Sequence, residues 1–205
     1  MKQYPTIPKK PEGAATHFWV FDKLDGSNIR AEWSKKRGFY KLGSRKRLLG
    51  TDQGILAKAE SMIHAQEPKF REIFKDHRIE RAICFFEFHG PNSFAGSHQE
   101  DEEHQVTLID VDVYKQGMIA PAKFLKMFAD SDIDTATLLH YGPVDEVFRK
   151  QVQDGTLPDM TFEGVVAKAP GRKKWAKAIM FKVKNKAWID KVKANYAESY
   201  WNALL

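Results

Sequence analysis

The sequence contains only one cysteine and no long apolar segment. Cys84 alone excludes a disulfide within the chain and is typical of a reducing compartment, so we expect a cytoplasmic location. No apolar segment approaches the about 20 residues that cross a bilayer, and the first residues lack the apolar core of a signal peptide. With 42% hydrophobic and 29% charged residues, the composition predicts a soluble globular protein with a sizeable core.

Positive charge is in modest excess. The 205 residues include 33 Lys and Arg against 27 Asp and Glu, a net charge of +6. A mixed solvated surface would give a similar total, but the basic residues are grouped in segments 35–37, 45–47 and 172–177, the last with Trp175. Lys and Arg beside an aromatic ring suit a polyanion, because they displace its condensed counterions. The grouping therefore favours contact with nucleic acid.

Apolar periodicity predicts one α+β domain over residues 1–205, without an internal repeat or a linker. Strands are predicted at Phe18–Asp22, Asn28–Trp33, Phe39–Gly43, Arg81–Phe88, Val106–Tyr114, Thr161–Ala167 and Lys177–Lys184. Helices are predicted at Gly54–Gln66, Pro121–Ala129, Val144–Gln153 and, at the carboxyl terminus, about 187–205. Tight turns between the first three strands indicate an antiparallel meander. Pro68 is expected to end the first helix.

Residues 91–104 combine histidines with an acidic run. His98 and His104 flank the segment Glu-Asp-Glu-Glu, and His89 precedes it. These residue types can ligate a metal, but their spacing matches no common ligand pattern. We therefore interpret the segment as a solvated or mobile loop.

Charged residues recur at the ends or faces of otherwise apolar strands. They are Lys23, Glu87, Glu163, Lys182 and Lys184. Charged side chains are rarely buried unless they are paired, so each alone is compatible with a structural salt bridge. Lys23, in the short pattern Lys-x-Asp-Gly, is also compatible with an ordinary lysine before a tight turn. Together, carboxylates that hold a divalent cation and lysines that hold phosphate oxygens fit a nucleoside triphosphate.

The segment Lys23-Leu24-Asp25-Gly26 resembles motif I of the covalent nucleotidyltransferases, the superfamily of ATP-dependent DNA ligases, RNA ligases and mRNA capping enzymes. Later segments resemble its other motifs in the same order and at similar spacing: Ser44-Arg45 (Ia), Phe86-Glu87-Phe88 (III), Leu108 to Val111 (IIIa), Glu163-Gly164-Val165-Val166 (IV) and Lys182-Val183-Lys184 (V). The string Lys-x-x-Gly-x-Asn, ending at Asn28, and Tyr4-Pro5-x-Ile7-Pro8 are most similar to RNA ligase 2-type RNA-repair ligases. The resemblance implies a nucleotidyltransferase (ATP-grasp-like) fold of mainly antiparallel sheets flanked by helices, with a nucleotide cleft between them.

The resemblance also implies the catalytic and metal-binding residues. Lys23 would attack the α-phosphorus of ATP, forming a lysyl-AMP phosphoramidate and releasing pyrophosphate. Lys182 and Lys184 would contact the α-phosphate and neutralise the charge that develops on it. Glu163 and Asn28 would hold Mg²⁺, directly or through its waters.

Six positions resemble nucleotide-binding residues of the family: Asp22, Asp25, Gly26, Arg45, Glu87 and Ile109. Glu87 would accept a hydrogen bond from the ribose, and Arg45 would bind sugar or phosphate. Asp22 stands where RNA ligases often place a glutamate that reads the adenine amino group, but its side chain is shorter. Ile109 stands where the family has an aromatic residue, so we expect aliphatic groups to sandwich the purine.

These features predict an ATP-dependent RNA ligase that seals 3′-hydroxyl and 5′-phosphate ends through lysyl-AMP and adenylylated polynucleotide intermediates. ATP would be the substrate and Mg²⁺ the cofactor. The expected partner is nucleic acid, preferably RNA as a nicked duplex or strand ends, with other repair proteins as further candidates and no membrane. We expect a single adenylyltransferase domain without an oligonucleotide-binding-fold domain, in a bacterial or phage-host cytoplasm. The alternatives are a minimal ATP-dependent DNA ligase and a non-catalytic nucleic-acid-binding module.

Overall fold

The structure is a computed structural model that describes residues 1–11, 15–45, 47–50, 54–170 and 179–204. The strands in chain order are β1 (Phe18–Asp22), β2 (Ser27–Ser34), β3 (Gly38–Ser44), β4 (Arg81–His89), β5 (Gln105–Val113), β6 (Gly117–Met118), β7 (Leu138–Gly142), β8 (Gly164–Lys168) and β9 (Met180–Lys184). The helices are α1 (Leu56–Ala65), α2 (Glu67–Asp76), α3 (Pro121–Phe128), α4 (Glu146–Asp154), α5 (Lys186–Asn195) and α6 (Glu198–Leu204). None of the helices within the described residues is long and apolar enough to cross a membrane.

The chain divides into two compact units, each with its own sheet. The first unit contains Met1–Thr6 and Gly26–Thr135, and the second contains Ile7–Asp25, Ala136–Pro170 and the described residues from 179 to 204. Strand pairing within both sheets is antiparallel. The prediction of an α+β fold built mainly from antiparallel sheets is confirmed.

The first unit is built on a five-stranded sheet with the order β3-β2-β4-β5-β6. Helix α2 places Phe70 and Phe74 one turn apart on the same face, so both are buried against the sheet. The ring centroid of Phe70 lies 5.0 Å from that of Phe39, and the centroid of Phe74 lies 5.4 Å from that of Trp33. These edge-on aromatic contacts join the helix to β2 and β3 and belong to the core of the first unit.

The second unit is built on a four-stranded sheet with the order β7-β1-β8-β9. Its core contains Val20, Val165 and Phe181, which are fully buried. In the register of the sheet Asp22, the last residue of β1, pairs with Val165, and Gly164, the first residue of β8, pairs with Lys184 of β9. Three strands therefore bring Lys23, Glu163 and Lys184 to the same end of the sheet, although they are far apart in sequence.

The predicted meander of the first three strands is wrong. Strands β2 and β3 pair with each other, but β1 lies in the other sheet, between β7 and β8. β1 is almost entirely buried, which is typical of an interior strand with a neighbour on each side. β7 was not predicted, because its largely accessible residues lack the apolar alternation of a half-buried strand.

Two predicted helix ends also differ from the structure. Pro68 does not simply end a helix: α1 stops at Ala65, and Pro68 stands in the first turn of α2, where its missing N–H would have no partner in any case. The single carboxyl-terminal helix predicted at about 187–205 consists of α5 and α6. Tyr196 adopts an extended conformation between them, and its ring stacks on Tyr200 at a centroid distance of 4.7 Å.

Candidate active site

Lys23 lies directly after β1 in the second unit. Its backbone N–H donates to the carbonyl of Gly164 at 2.9 Å, which fixes the start of the turn against β8. Its Nζ donates to Oε2 of Glu163 at 2.8 Å, and 21% of its side chain is exposed. The amine is therefore held by a carboxylate but still open to a reactant.

Glu163 links Lys23 to Lys184. Its side chain is only 6% exposed, and Oε1 accepts a hydrogen bond from Lys184 Nζ at 2.7 Å. The next residue, Gly164, packs closely against β9: its φ is +133°, and a Cβ atom there would lie 2.2 Å from the carbonyl oxygen of Val183, so the position requires glycine. One buried carboxylate thus holds two ammonium groups, so the structure brings three of the predicted site residues together.

Lys182 adds a third positive group to this end of the sheet. Burial, followed by the charges of Lys184 and Lys23, lowers the pKa of Lys182 to about 8. Burial also lowers the pKa of Lys184, although Glu163 opposes this shift. Lys182 Nζ donates to the backbone carbonyl of Leu204 at 3.1 Å. The site therefore concentrates positive charge in surroundings that disfavour protonation.

We expect Lys182→Met to raise the melting temperature at pH 7. Below pH 8 Lys182 is charged in both the folded and the unfolded chain, so folding carries the full cost of desolvating its charge. As pH rises from about 8 toward 10.5, the folded protein releases this proton first, and the wild type gains stability relative to the variant. Thermal unfolding of both proteins at pH 7 and pH 9.5 measures the difference, with the exposed Lys123→Met as control. A variant less stable at pH 7, with a pH-independent difference, would contradict this expectation.

The two aspartates of motif I hold the neighbouring backbone and side chains. Asp22 is buried, and its Oδ1 accepts from the backbone N–H of Thr161 at 2.9 Å. Burial raises the pKa of Asp22, although its hydrogen bonds with Thr161 and with the Lys23 backbone oppose this. Asp25 accepts a hydrogen bond from Nε1 of Trp188 at 2.5 Å. Asp22 therefore fixes the segment that leads to Glu163.

Trp188 contacts two motifs at once and was missed by the sequence analysis. It is 1% exposed, donates to Asp25, and has its ring centroid 3.6 Å from Lys184 Nζ. Helix α5 begins directly after β9, capped by the side chain of Asn185, so Trp188 follows Lys184 by four residues. The sequence feature that could have identified Trp188 is its position in the first turn of the helix that follows motif V.

The other predicted site residues lie in the first unit. Asn28 of β2 pairs with Glu87 of β4, and its Nδ2 donates to the carbonyl of Phe86 at 3.3 Å. Glu87 is half-buried. At Gly26 a Cβ atom would lie 2.2 Å from the carbonyl oxygen of Phe88, so this close approach requires glycine. Within the first unit, Gly26 is therefore joined to motif III by close backbone packing and Asn28 by strand pairing.

Motif IIIa and the amino-terminal segment are joined in the first unit. Half-buried Ile109 precedes Asp110, which is buried and accepts a hydrogen bond from the hydroxyl of Tyr4. Burial, followed by the charge of Asp110, raises the pKa of Tyr4 well above its usual value. The Tyr4 ring packs edge-on against Phe85 at a centroid distance of 5.0 Å. Tyr4 therefore anchors the amino terminus to β4 and β5.

The predicted basic segments 45–47 and 172–177 lie only partly within the described residues. Arg45 and Arg47 are exposed, and the backbone carbonyl of Arg45 accepts from the side chain of Gln3 at 3.2 Å. Lys46 and the predicted 172–177 group lie outside the described residues.

The fold resembles solved RNA ligase structures. A Naegleria gruberi RNA ligase mutant with ATP and Mn is 17% identical, with a TM-score of 0.60 over 87% of this chain and 52% of that one. The same ligase with PPi is 17% identical, with a TM-score of 0.60 over 88% and 53%. Another mutant, with AMP and Mn, is 18% identical, with a TM-score of 0.59 over 86% and 52%. This chain therefore spans about half the length of the structures that it matches.

The comparison with curated proteins found no match. By contrast, the model of the family described as RNA ligase matches residues 16–184. This range contains the Lys23, Glu163 and Lys184 network as well as motifs Ia, III and IIIa. Because the match covers most of the 205 residues, the chain belongs to the RNA ligase family.

Proposed function

We propose that this chain is an ATP-dependent RNA ligase. It would seal 3′-hydroxyl and 5′-phosphate ends through lysyl-AMP and adenylylated polynucleotide intermediates. The observation that carries the proposal is the contact of Lys23 Nζ with Glu163, whose other oxygen holds Lys184. Membership of the RNA ligase family supports the reaction class.

In the first step Lys23 acts as the nucleophile. The neutral Nζ forms a bond to the α-phosphorus of ATP, the bond from that phosphorus to the bridging oxygen breaks, and pyrophosphate leaves. The nitrogen loses a proton to give the phosphoramidate. Glu163 Oε2 lies 2.8 Å from Nζ and orients the amine.

Lys182 and Lys184 neutralise the charge that develops on the α-phosphate. They alternate along β9 and so project from the same face of the strand. Their partly buried positions strengthen the electrostatic interaction with phosphate relative to bulk water. Trp188 positions Lys184, whose ammonium lies 3.6 Å from the centroid of its ring.

Glu163 and Asn28 offer carboxylate and amide oxygens, which suit Mg²⁺. In the structure both carboxylate oxygens of Glu163 accept from ammonium groups, so the residue becomes available when the lysines turn toward phosphate. A bound Mg²⁺ would neutralise phosphate charge. The resemblance further assigns Glu87 to the ribose, Arg45 to sugar or phosphate, and Ile109 to the purine face.

Asp22 and Asp25 are proposed to position the nucleophile rather than to read adenine. The Asp22 carboxylate already accepts from the backbone of Thr161, and Asp25 accepts from Trp188. These contacts hold both sides of the turn that carries Lys23. We place Gly26 in the nucleotide-binding set, where its lack of a side chain permits the close packing of this turn.

We propose RNA as the preferred polynucleotide, by resemblance of Asn28 and the Tyr4-Pro5 segment to RNA-repair ligases. A cytoplasmic location and contact with other repair proteins complete the proposal. The non-catalytic binding module is not favoured, because a binder has no use for an amine held between a buried carboxylate and two further lysines. A minimal DNA ligase is the alternative that experiment must distinguish from an RNA ligase.

A comparison of two nicked duplexes tests whether RNA or DNA is the preferred substrate. The duplexes are identical except for a ribose or a deoxyribose at the 3′ end of the nick. We expect faster sealing of the ribose-ended nick, because the 2′-hydroxyl is the group by which proteins distinguish RNA from DNA. Single-turnover joining by pre-adenylylated protein, resolved on a denaturing gel, measures the two rates. Equal or faster joining of the all-DNA nick would favour the minimal DNA ligase, and lysyl-AMP formation without any joining would leave only the nucleotidyl-transfer step.

A further inference from the structure

Most residues of segment 91–104 are exposed, as its composition predicted, but His104 and the side chain of Glu102 are buried. His104 is 7% exposed, and the side chain of Glu102 is only 2% exposed. His104 stacks on the ring of Phe88 with a centroid distance of 4.6 Å and an interplanar angle of 9°. Part of the acidic, histidine-containing segment is therefore buried against the core of the first unit. Its buried polar groups need hydrogen-bond partners or a bound ion.

Three potential ligands meet inside this segment. The side chains of His98, Glu102 and His104 each offer one ligand atom, and these atoms all lie within 4.8 Å of one another. Oε1 of Glu102 lies 3.1 Å from Nε2 of His104. A separation of this size between donor atoms suits ligands that surround a single small cation at about 2.0–2.2 Å each.

His104 has buried polar atoms that the described residues do not satisfy. Neither Nδ1 nor Nε2 of its ring has a hydrogen-bond partner among them, because the approach of Glu102 is not aligned as a hydrogen bond. A buried polar nitrogen without a partner carries the full cost of its desolvation. A cation bound between His104 and Glu102 would remove that cost.

Neighbouring polar groups hold two of the candidate ligands in place. His98 Nε2 contacts Ser27 Oγ at 2.8 Å, and its Nδ1 faces Ser93, whose Oγ lies 3.0 Å away. The same hydroxyl donates to Oε1 of Glu102 at 3.2 Å, and the backbone N–H of Asn92 donates to Oε2 at 2.7 Å. These contacts fix His98 and Glu102 beside His104.

We propose that His98, Glu102 and His104 form a structural site for Zn²⁺ or a similar borderline transition-metal ion. Two imidazoles and one carboxylate are the donors that zinc accepts, whereas Mg²⁺ prefers oxygen ligands. Ser27 orients His98 through the other ring nitrogen, as partners of ligating histidines usually do. The site is distinct in donor type from the proposed Mg²⁺ residues Glu163 and Asn28.

A bound ion would hold segment 91–104 against the start of β2. Ser27 is the first residue of β2, and its hydroxyl contacts both His98 and the backbone carbonyl of Gly96. It stands between Gly26 and Asn28, two positions of the extended motif I. Metal binding would therefore stabilise the fold next to these positions without supplying a reacting group.

Titration of metal-free full-length protein with ZnCl₂ tests the site. We expect calorimetry to give one equivalent bound, Co²⁺ to give the visible absorption of a four-coordinate site with nitrogen ligands, and Zn²⁺ but not Mg²⁺ to raise the melting temperature. His104→Gln and Glu102→Gln should lose stoichiometric binding. Ser27→Ala, which removes only the partner of a ligand, should weaken binding by about 10- to 100-fold.

The exposed His77→Gln provides the matched control, since it removes an imidazole far from this segment in sequence and should leave binding unchanged. Failure of the wild type to bind an equivalent of Zn²⁺ would overturn the proposal, as would unchanged affinity in His104→Gln and Glu102→Gln. Should those variants not fold, the Co²⁺ spectrum and the Zn²⁺-dependent melting of the wild type decide alone.

Discussion

Lys23→Met is expected to abolish covalent labelling of the protein by ATP that carries radioactive phosphorus at the α position. The variant keeps the apolar stem of the side chain but removes the amine that contacts Glu163 at 2.8 Å. No other lysine of this site follows a strand end at the same turn, so none can replace the nucleophile. A denaturing gel after incubation with ATP and Mg²⁺ measures the label, which in the wild type should be acid-labile and base-stable, as expected of a phosphoramidate.

Lys186→Met is the matched control for this experiment. Lys186 lies two residues beyond motif V, its side chain is 59% exposed, and it pairs with Asp154 rather than with Glu163. The control should label as the wild type does. Undiminished labelling of Lys23→Met would show that Lys23 is only a structural partner of Glu163, and the proposed nucleotidyl transfer would lose its nucleophile.

Glu163→Gln is expected to reduce adenylylation by at least about 100-fold, the effect typical of removing one electrostatic contact from a transition state. The amide keeps the shape of the side chain but leaves two ammonium groups without the carboxylate that holds both. It also removes the ligand proposed for Mg²⁺. Rates of lysyl-AMP formation at saturating ATP and varied Mg²⁺ measure the loss.

A stability measurement separates the catalytic role of Glu163 from a purely structural one. Removal of the carboxylate leaves buried positive charge unpaired, so Glu163→Gln alone should also lower the melting temperature. The double variant Glu163→Gln with Lys184→Met should recover much of that stability and none of the activity. Recovery of activity along with stability would instead assign Glu163 to the scaffold. The exposed Glu146→Gln, on α4, is the control for the loss of one carboxylate.

The histidine segment shows where composition misleads. An acidic run with interspersed histidines is usually solvated, and the sequence alone cannot show that Phe88 provides a stacking surface for His104. The burial of Glu102 depends on backbone N–H groups from its own segment, which turn toward the carboxylate only once the chain folds back on itself. The spacing of residues in the sequence does not predict such hydrogen bonds between a side chain and the backbone.

The sequence by itself predicted the candidate site residues and most of the strands and helices. Apolar runs identified β1, β4 and β5 because local periodicity depends only on neighbouring residues, and the order of motifs pointed to nucleotidyl transfer. Only the tertiary structure decided which strands are neighbours: β1 pairs with β7 and β8, which lie more than a hundred residues away. That long-range pairing brings Lys23 to Glu163, and it places Trp188 under Lys184 and against Asp25. Contacts across such distances depend on the register of the sheet and on burial, which no local pattern encodes.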